Sequence, residues 1–336
     1  MFAMIYLSNF FARGVEAVSI QVEAARLSPK DPIISCGYFL DQKILSLSDI
    51  KDNIWIFPKW LFPLVSTLVI SFSRQGIHYF EDEPSSIKKI LLNLRCRPVY
   101  ISLFKDVTPA LINYLKGLHF LEGVTVETAE LEARLKRELP NVNVLRALPQ
   151  PLWDDTKVND PDHTFVFASW NGGSKIALHE RGVVNILKLC KAKALSCVIV
   201  LRDGQIGQLK KYIKGMGLGT QIKLLSPGSK VEVCKAFNAA EYVIMLPEKP
   251  VMKGVPNSVI DGLALGKPCL ISSCLGFAKE VKNDHMGIVW DTNMPVSHIR
   301  LPDHDGYKKL QSAGRQWVDK NIRPYKLVMK ELYEKF

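Results

Sequence analysis

Short apolar runs alternate with amphipathic helical patterns along the chain. In the first half we predict strands at 4–7, 76–80, 98–103, 123–126 and 142–145, with helices at 15–27, 85–94 and 128–138. In the second half we predict strands at 164–168, 196–201, 221–225, 242–246 and 269–272, with helices at 182–194, 208–215, 230–240 and 257–265. Strand–helix alternation of this kind is typical of parallel sheets with helices on both faces.

The segment 153–163 is polar, carries four aspartates and contains Pro161, which is the composition of a linker. We therefore predict one domain over 1–152 and a second over 164–306. The helical end of the chain, 307–336, is broken by Pro324 and is expected to pack back on the first domain. Open α/β sheets bind ligands at the carboxyl ends of their strands, so two such sheets suggest a ligand crevice.

Composition narrows the class of protein. The 336 residues are 47% apolar and 23% charged, as in a globular protein. The net charge of +11 favours anionic partners such as nucleotides or phospholipid headgroups, but without a basic run or a recognised motif we expect no nucleic acid. Seven cysteines without Cys-x-x-Cys spacing, and a first apolar run lacking a leader pattern, predict reduced thiols and a cytoplasmic protein.

The most apolar stretch, 54–72, is interrupted by prolines and a lysine and is a poor candidate for a spanning helix. Two interpretations are open. The stretch forms a loop and a helix packed on the core of the first domain. Alternatively, its first aromatic residues enter a membrane interface, which would make the protein peripheral. The residues concerned are Trp55, Phe57, Trp60, Leu61 and Phe62.

The segment 252–273 is the most informative part of the chain. Pro256 suits a helix start, and Asn257 or Ser258 could cap the first amides. Gly266 is expected to end this helix in the left-handed conformation. The start of such a helix carries a partial positive charge and suits a diphosphate. One turn later Asp261 offers a carboxylate that could accept hydrogen bonds from a ribose diol.

At these residues the chain resembles family 4 of the retaining glycosyltransferases, the glycosyl transferases group 1, which have the GT-B fold. That family carries a Glu-x7-Glu signature around a Gly-x-Pro helix start. The positions matched in register are Gly254, Pro256, Ala264, Gly266 and Pro268. The resemblance implies two Rossmann-like, doubly wound domains facing across a cleft. It also implies that Asp261, at the second glutamate position, holds the donor ribose, and that the amides of Val255 to Ser258 hold the diphosphate.

One departure from the family pattern is serious, because Lys253 replaces the first signature glutamate. Three interpretations are open. Lys253 pairs with the diphosphate or with the carboxylate of an acidic sugar, which would alter donor choice. Glu248 substitutes for the glutamate through a shifted loop. Otherwise activity is reduced or lost, or the position tolerates change.

The family also has a basic pair after the first strand of its C-terminal domain, which neutralises the leaving diphosphate. Here Lys175 has the spacing, Arg181 has the flanking glycine, and Trp170 stands at the usual arginine. We expect Lys175, Arg181 or both to contact phosphate, with backbone amides of Gly172 and Gly173 assisting. The alternative is a plain turn.

In the first half, the loop ending at Gly14 resembles the family's glycine-rich loop, although Arg13 replaces one glycine. His78 is expected to be structural rather than catalytic. The position after the next strand, where the family commonly has a histidine near the donor sugar, reads Leu103-Phe104-Lys105-Asp106. The first domain therefore lacks one expected donor contact.

The resemblance implies sugar transfer, with retained configuration, from a UDP- or GDP-linked donor to a glycan, lipid-linked or protein-linked acceptor. No Asp-x-Asp motif accompanies the predicted nucleotide segment, so neither a metal nor a cofactor is expected. The alternative is a catalytically degenerate protein of the same fold that binds a sugar nucleotide or glycan. The missing glutamate and the missing histidine favour that alternative.

Overall fold

The structure is a computed structural model, and the residues it describes are 4–8, 26, 28–36, 53–57, 61–80, 86–94, 96–103, 107–151, 161–169, 181–201, 206–225, 230–249 and 254–334. The chain divides into two compact units. The first consists of Met1–Pro149 together with Arg323–Phe336, and the second consists of Gln150–Ile322.

The first unit is built on seven strands, which are β1 (Met4–Ser8), β2 (Ile33–Cys36), β3 (Ile54–Phe57), β4 (Gly76–Phe80), β5 (Val99–Ser102), β6 (Leu121–Val126) and β7 (Asn143–Arg146). They form one parallel sheet in the order β3-β2-β1-β4-β5-β6-β7. Its helices are α1 (Phe62–Phe72), α2 (Ser86–Leu94), α3 (Pro109–Lys116) and α4 (Ala129–Glu138).

Alternate strand residues enter two cores, one on each face of this sheet. Leu7, Ile77 and Ile101 pack with α1 to α4, because right-handed crossovers from β3 through β7 place these helices on one face. Tyr6 and Phe80 belong to the opposite core. That second core is completed by residues of a helix from the end of the chain, Tyr325, Val328, Met329 and Leu332.

The second unit contains β8 (His163–Ser169), β9 (Cys197–Leu201), β10 (Ile222–Leu225), β11 (Ala240–Met245), β12 (Cys269–Ser272) and β13 (Gly287–Trp290). They form a parallel sheet in the order β10-β9-β8-β11-β12-β13. Its helices are α5 (Val183–Lys193), α6 (Ile206–Gly215), α7 (Lys230–Asn238), α8 (Asn257–Ala264), α9 (Ala278–Asn283) and α10 (His304–Asn321), with a 3₁₀ turn at Val296–His298.

The helical end of the chain is divided between the units, which corrects the expectation that all of 307–336 packs on the first domain. α10 contacts α8 and β13 of the second unit, where Trp317 is buried against the ring of Phe277 with 5.1 Å between ring centroids. Only α11 (Tyr325–Glu334), which begins after the break at Pro324, contacts β6 and β7.

The stretch 54–72 contains a strand that the sequence analysis did not predict, β3, followed by α1. Phe62 is 3% exposed and Phe57 packs against the same core, whereas Trp55 is 43% exposed. Trp60 lies outside the described residues. Among the helices of the described ranges, none is long and apolar enough to cross a membrane.

Candidate functional site

The carboxyl edge of the second sheet contains a topological switch point between β8 and β11. From β8 the chain runs outward through β9 to β10, and from β11 it runs the other way through β12 to β13. With right-handed crossovers, α5 after β8 and α8 after β11 lie on opposite faces of the sheet. Open α/β sheets bind ligands in the crevice at such a point. Two helix starts therefore flank the crevice of this unit.

The start of α5 is held close to the end of β11. The side-chain amide Nδ2 of Asn185 donates to the backbone carbonyl of Leu246 at 3.0 Å. Gly182, the N-cap residue, has φ +78°, and a Cβ there would lie 2.0 Å from backbone atoms of Leu246. Only glycine tolerates both conditions. The half-buried Arg181 is therefore fixed one residue before a helix start at this edge.

The start of α8 differs from the prediction in its cap. Pro256 is the N-cap residue, with φ −67° and ψ 127°, and its own side chain makes no capping hydrogen bond. Asn257 and Ser258 occupy the first helical turn and are half-buried, so they do not cap the helix as expected. Gly254 and Val255 are buried just before it. The positive end of the helix dipole lies at the carboxyl edge, as a diphosphate site requires.

Asp261 lies one turn into α8 and is 4% exposed. Its spacing places it on the same helix face as Asn257, Ser258 and Ala264, the three half-buried residues of this helix. The next residue, Gly262, faces β11, because a Cβ there would lie 2.5 Å from the Val243 side chain. Asp261 thus lies on the side of α8 that carries its half-buried residues, although its own side chain is buried.

The end of α8 is fixed as predicted. Gly266 follows the helix with φ +69°, and the amide of Lys267 donates to the carbonyl of Gly262 at 2.8 Å. Lys267 is 2% exposed, and its Nζ donates to the carbonyl of Asn238 at 2.8 Å. Burial, and secondarily Arg315, lowers the pKa of Lys267 to about 8. The Gly-Lys-Pro run therefore anchors the helix, a role that the sequence analysis missed.

Several predicted site residues lie outside the described residues, and their roles stay predictions. They are Gly14, Gly172, Gly173, Lys175 and Lys253. Glu248, the alternative to the missing glutamate, is exposed three residues after β11. Of the predicted set, the structure thus places Arg181, Gly254, Val255, Pro256, Asn257, Ser258 and Asp261 on segments that follow the two adjacent strands β8 and β11.

His78 of β4 is structural, as the sequence analysis favoured. Its Nε2 lies 2.8 Å from the hydroxyl of Ser102, which accepts from Thr125 at 2.7 Å, and its Nδ1 is hydrogen-bonded to the hydroxyl of Tyr333. Complete burial lowers the pKa of His78 to about 3, so the imidazole is neutral. This histidine ties α11 to the first sheet.

Six of the described cysteines are not in disulfides, and most of them are buried. They are Cys96, Cys190, Cys197, Cys234, Cys269 and Cys274. Within the described ranges no group of three histidine, cysteine, aspartate or glutamate side chains could hold a metal ion.

Comparison with known proteins gives a fold. No family model matches the sequence, and no curated protein matches it significantly. Solved structures do match over the whole chain. A glycosyltransferase from Rickettsia africae is similar with a TM-score of 0.66 and 12% identity, covering 100% of both chains. Anabaena HepE in complex with UDP and glucose is similar with a TM-score of 0.69 and 11% identity, also covering 100% of both.

Sucrose-phosphate synthase from Thermosynechococcus elongatus is similar with a TM-score of 0.68 and 12% identity, covering 98% of each chain. At identities this low, structural similarity establishes the architecture but not the reaction. Two units with fully parallel sheets, matched over full length to these enzymes, show that the chain has the GT-B architecture with Rossmann-like units.

Proposed function

We propose that the protein is a glycosyltransferase that takes a sugar from a nucleotide-diphosphate donor bound by its second unit. The observation that carries this proposal is the pair of helix starts, α5 and α8, on either side of the switch point between β8 and β11. Both direct positive dipole ends to the edge where a diphosphate would lie. Full-length similarity to a glycosyltransferase and to UDP-bound HepE supports it.

The donor would be held by three kinds of contact. Amides from Val255 to Ser258 would bind the diphosphate, and Asp261 would accept hydrogen bonds from the ribose diol. Arg181, together with Lys175, would neutralise the leaving diphosphate. Preorganised positive groups of this kind lower the barrier because negative charge develops on the leaving group. Lys253 would contact the diphosphate or the carboxylate of an acidic sugar.

The acceptor hydroxyl would attack the face from which the diphosphate departs, with retained configuration, as the family resemblance implies. The hydroxyl proton would pass to the departing diphosphate oxygen, and holding donor and acceptor side by side in a reactive orientation would lower the barrier further. We further propose a UDP- or GDP-linked donor, an acceptor on a glycan, lipid or protein, a reaction without metal, and a cytoplasmic location.

A second candidate is a protein of this fold that binds a sugar nucleotide or glycan without turnover. Lys253 in place of the signature glutamate, and the absence of histidine from Leu103-Phe104-Lys105-Asp106, favour it. Release of UDP or GDP from a panel of nucleotide sugars, followed with and without EDTA, separates the two. Nucleotide release supports transfer; donor-induced thermal stabilisation without release supports the binding protein; neither effect with any donor contradicts both.

The same panel tests donor choice at Lys253. If the lysine pairs with an acidic sugar, Lys253→Glu should shift preference from uronic acid donors to neutral donors by about tenfold, since like charges then oppose. Lys249→Glu, at an exposed lysine near the end of β11, is the matched control. An unchanged ranking of donors in Lys253→Glu would exclude the acidic-sugar interpretation.

A further inference from the structure

The outer surface of α1 and α2 is apolar. Of the eleven large hydrophobic side chains exposed among the described residues, six lie on these two helices, which contact each other on one face of the first sheet. Leu64, Leu68 and Phe72 recur with helical spacing on α1, and Ile87, Ile90 and Leu94 on α2. Phe72 and Leu94 are the most exposed, at 79% and 72%. We call these six residues the apolar face.

The core of the first unit does not require this surface. α1 already buries Phe62, Ser66 and Ile70 against the sheet, and α2 buries Leu92. The apolar face lies on the opposite side of each helix. Single exposed hydrophobic residues are common, but adjacent stripes on two packed helices are typical of an interaction site. The apolar face is therefore a candidate interaction site.

Charge around the apolar face indicates what covers it. Between 61 and 103 the described residues include four basic side chains, Arg74, Lys88, Lys89 and Arg97, and no aspartate or glutamate. The ammonium groups of Lys88 and Lys89 lie over the rings of Phe62 and Tyr114, which leaves the two arginines as the basic border of the apolar face. Arg74 and Arg97 are exposed and follow the ends of α1 and α2, beside Phe72 and Leu94. The acidic run Glu81-Asp82-Glu83 lies outside the described residues, before the opposite end of α2.

An aliphatic surface with a basic border matches an anionic bilayer, where apolar side chains enter the acyl boundary and cations meet phosphate. We propose that the apolar face docks the protein on anionic membranes, with Phe72 and Leu94 inserting most deeply. This surface differs from the aromatic run of 55–62, whose Phe62 is buried.

Flotation of the full-length protein with vesicles tests the proposal. Wild type should float with an equal mixture of phosphatidylcholine and phosphatidylglycerol, and not with phosphatidylcholine alone. Phe72→Ser/Leu94→Ser should weaken partitioning by at least about tenfold, since the inserting groups are lost. Arg74→Gln/Arg97→Gln should weaken it by about fivefold for each charge removed, and added salt should mimic this change.

Matched controls are Val231→Ser/Leu327→Ser, two exposed apolar residues elsewhere, and Lys282→Gln/Arg300→Gln, two exposed basic residues of the second unit. These should float like wild type, and all variants should keep its melting temperature because the altered side chains are exposed. Wild type left in the soluble fraction would overturn the proposal, as would equal binding to neutral vesicles. A dimer in sedimentation that Phe72→Ser/Leu94→Ser dissociates would assign the apolar face to self-association instead.

Discussion

The described polar groups of the two units have different surroundings. In the first unit, polar side chains are paired internally: His78 contacts Ser102 and Tyr333, and Ser102 contacts Thr125. In the second unit, two helix starts follow the adjacent strands β8 and β11, and their N-cap residues, Gly182 and Pro256, make no side-chain capping hydrogen bond. Groups already satisfied by the protein contribute stability, whereas oriented helix starts suit an incoming anion. We therefore propose the second unit as the donor site.

The largest loss of activity is expected when the cations proposed for the leaving diphosphate are removed. Lys175→Ala and Arg181→Ala should each cost about 2–4 kcal/mol of transition-state stabilisation, a roughly 30- to 1000-fold loss in kcat. Nucleotide release under saturating donor measures it. Arg300→Ala, an exposed arginine of the same unit, should keep full activity. Wild-type kcat in both Lys175→Ala and Arg181→Ala would contradict the leaving-group assignment.

The second largest effect is expected when the proposed ribose contact is weakened. Asp261→Asn keeps the shape of the side chain but removes its charge, which should cost about 1.5–3 kcal/mol of donor binding and raise the donor Kd roughly 10- to 100-fold. Titration calorimetry with UDP and GDP measures the change. Asp284→Asn, at an exposed position beside the amino end of β13, is the control. A folded Asp261→Asn protein with wild-type affinity would refute the ribose contact.

The stability contributed by the buried histidine of the first unit should depend on pH. The pKa of His78 is lowered to about 3 in the folded protein, below its usual 6.5. Only the unfolded chain binds this proton between those values, so the stability contributed by neutral His78 is lost progressively as pH falls below 6.5. Between pH 6.5 and 5 the loss is about 1.6 kcal/mol.

Urea unfolding across this pH range measures that slope. In His78→Gln the free energy of unfolding should fall less than in wild type over this pH range, by the amount given above. In His119→Gln, at an exposed histidine, it should fall as in wild type. Identical slopes in all three proteins would show that His78 does not titrate as a buried neutral group.

The smallest effect is expected at the anchor of α11. Tyr333→Phe removes the hydroxyl that bonds His78 and should lower the free energy of unfolding by about 1 kcal/mol, with donor Kd unchanged. Tyr212→Phe, on the exposed face of α6, is the control. A donor affinity that falls in Tyr333→Phe would show that the polar cluster of the first unit serves the donor site.

Periodicity was sufficient for most of the second unit, where buried strands and helices alternate without interruption. It missed β3 because Pro58 and Lys59 made the apolar run look like a loop, and it missed β13 because Gly287–Trp290 is a short apolar run without alternation. The packing of 307–336 could not be predicted from local patterns. Trp317 packs on Phe277, which is distant in sequence, and no local pattern reveals that partner.

The candidate site was predictable where backbone conformation dictates residue type. The left-handed Gly266 is one case, confirmed by φ +69°. The cap was not predictable, because Asn257, Ser258 and Pro256 are all common near helix starts and only the observed ψ of Pro256 selects it. The role of Lys267 was missed because a lysine in a Gly-Lys-Pro turn is normally expected to be exposed. In the fold its Nζ donates a hydrogen bond to the carbonyl of Asn238.

Hydrogen–deuterium exchange of the full-length protein, with and without saturating UDP or GDP, tests the central claim most directly. We expect bound nucleotide to slow exchange in peptides covering 181–186 and 254–260. Exchange at the carboxyl ends of the first sheet's strands should not change. Protection confined to other peptides, while either nucleotide is demonstrably bound, would contradict it.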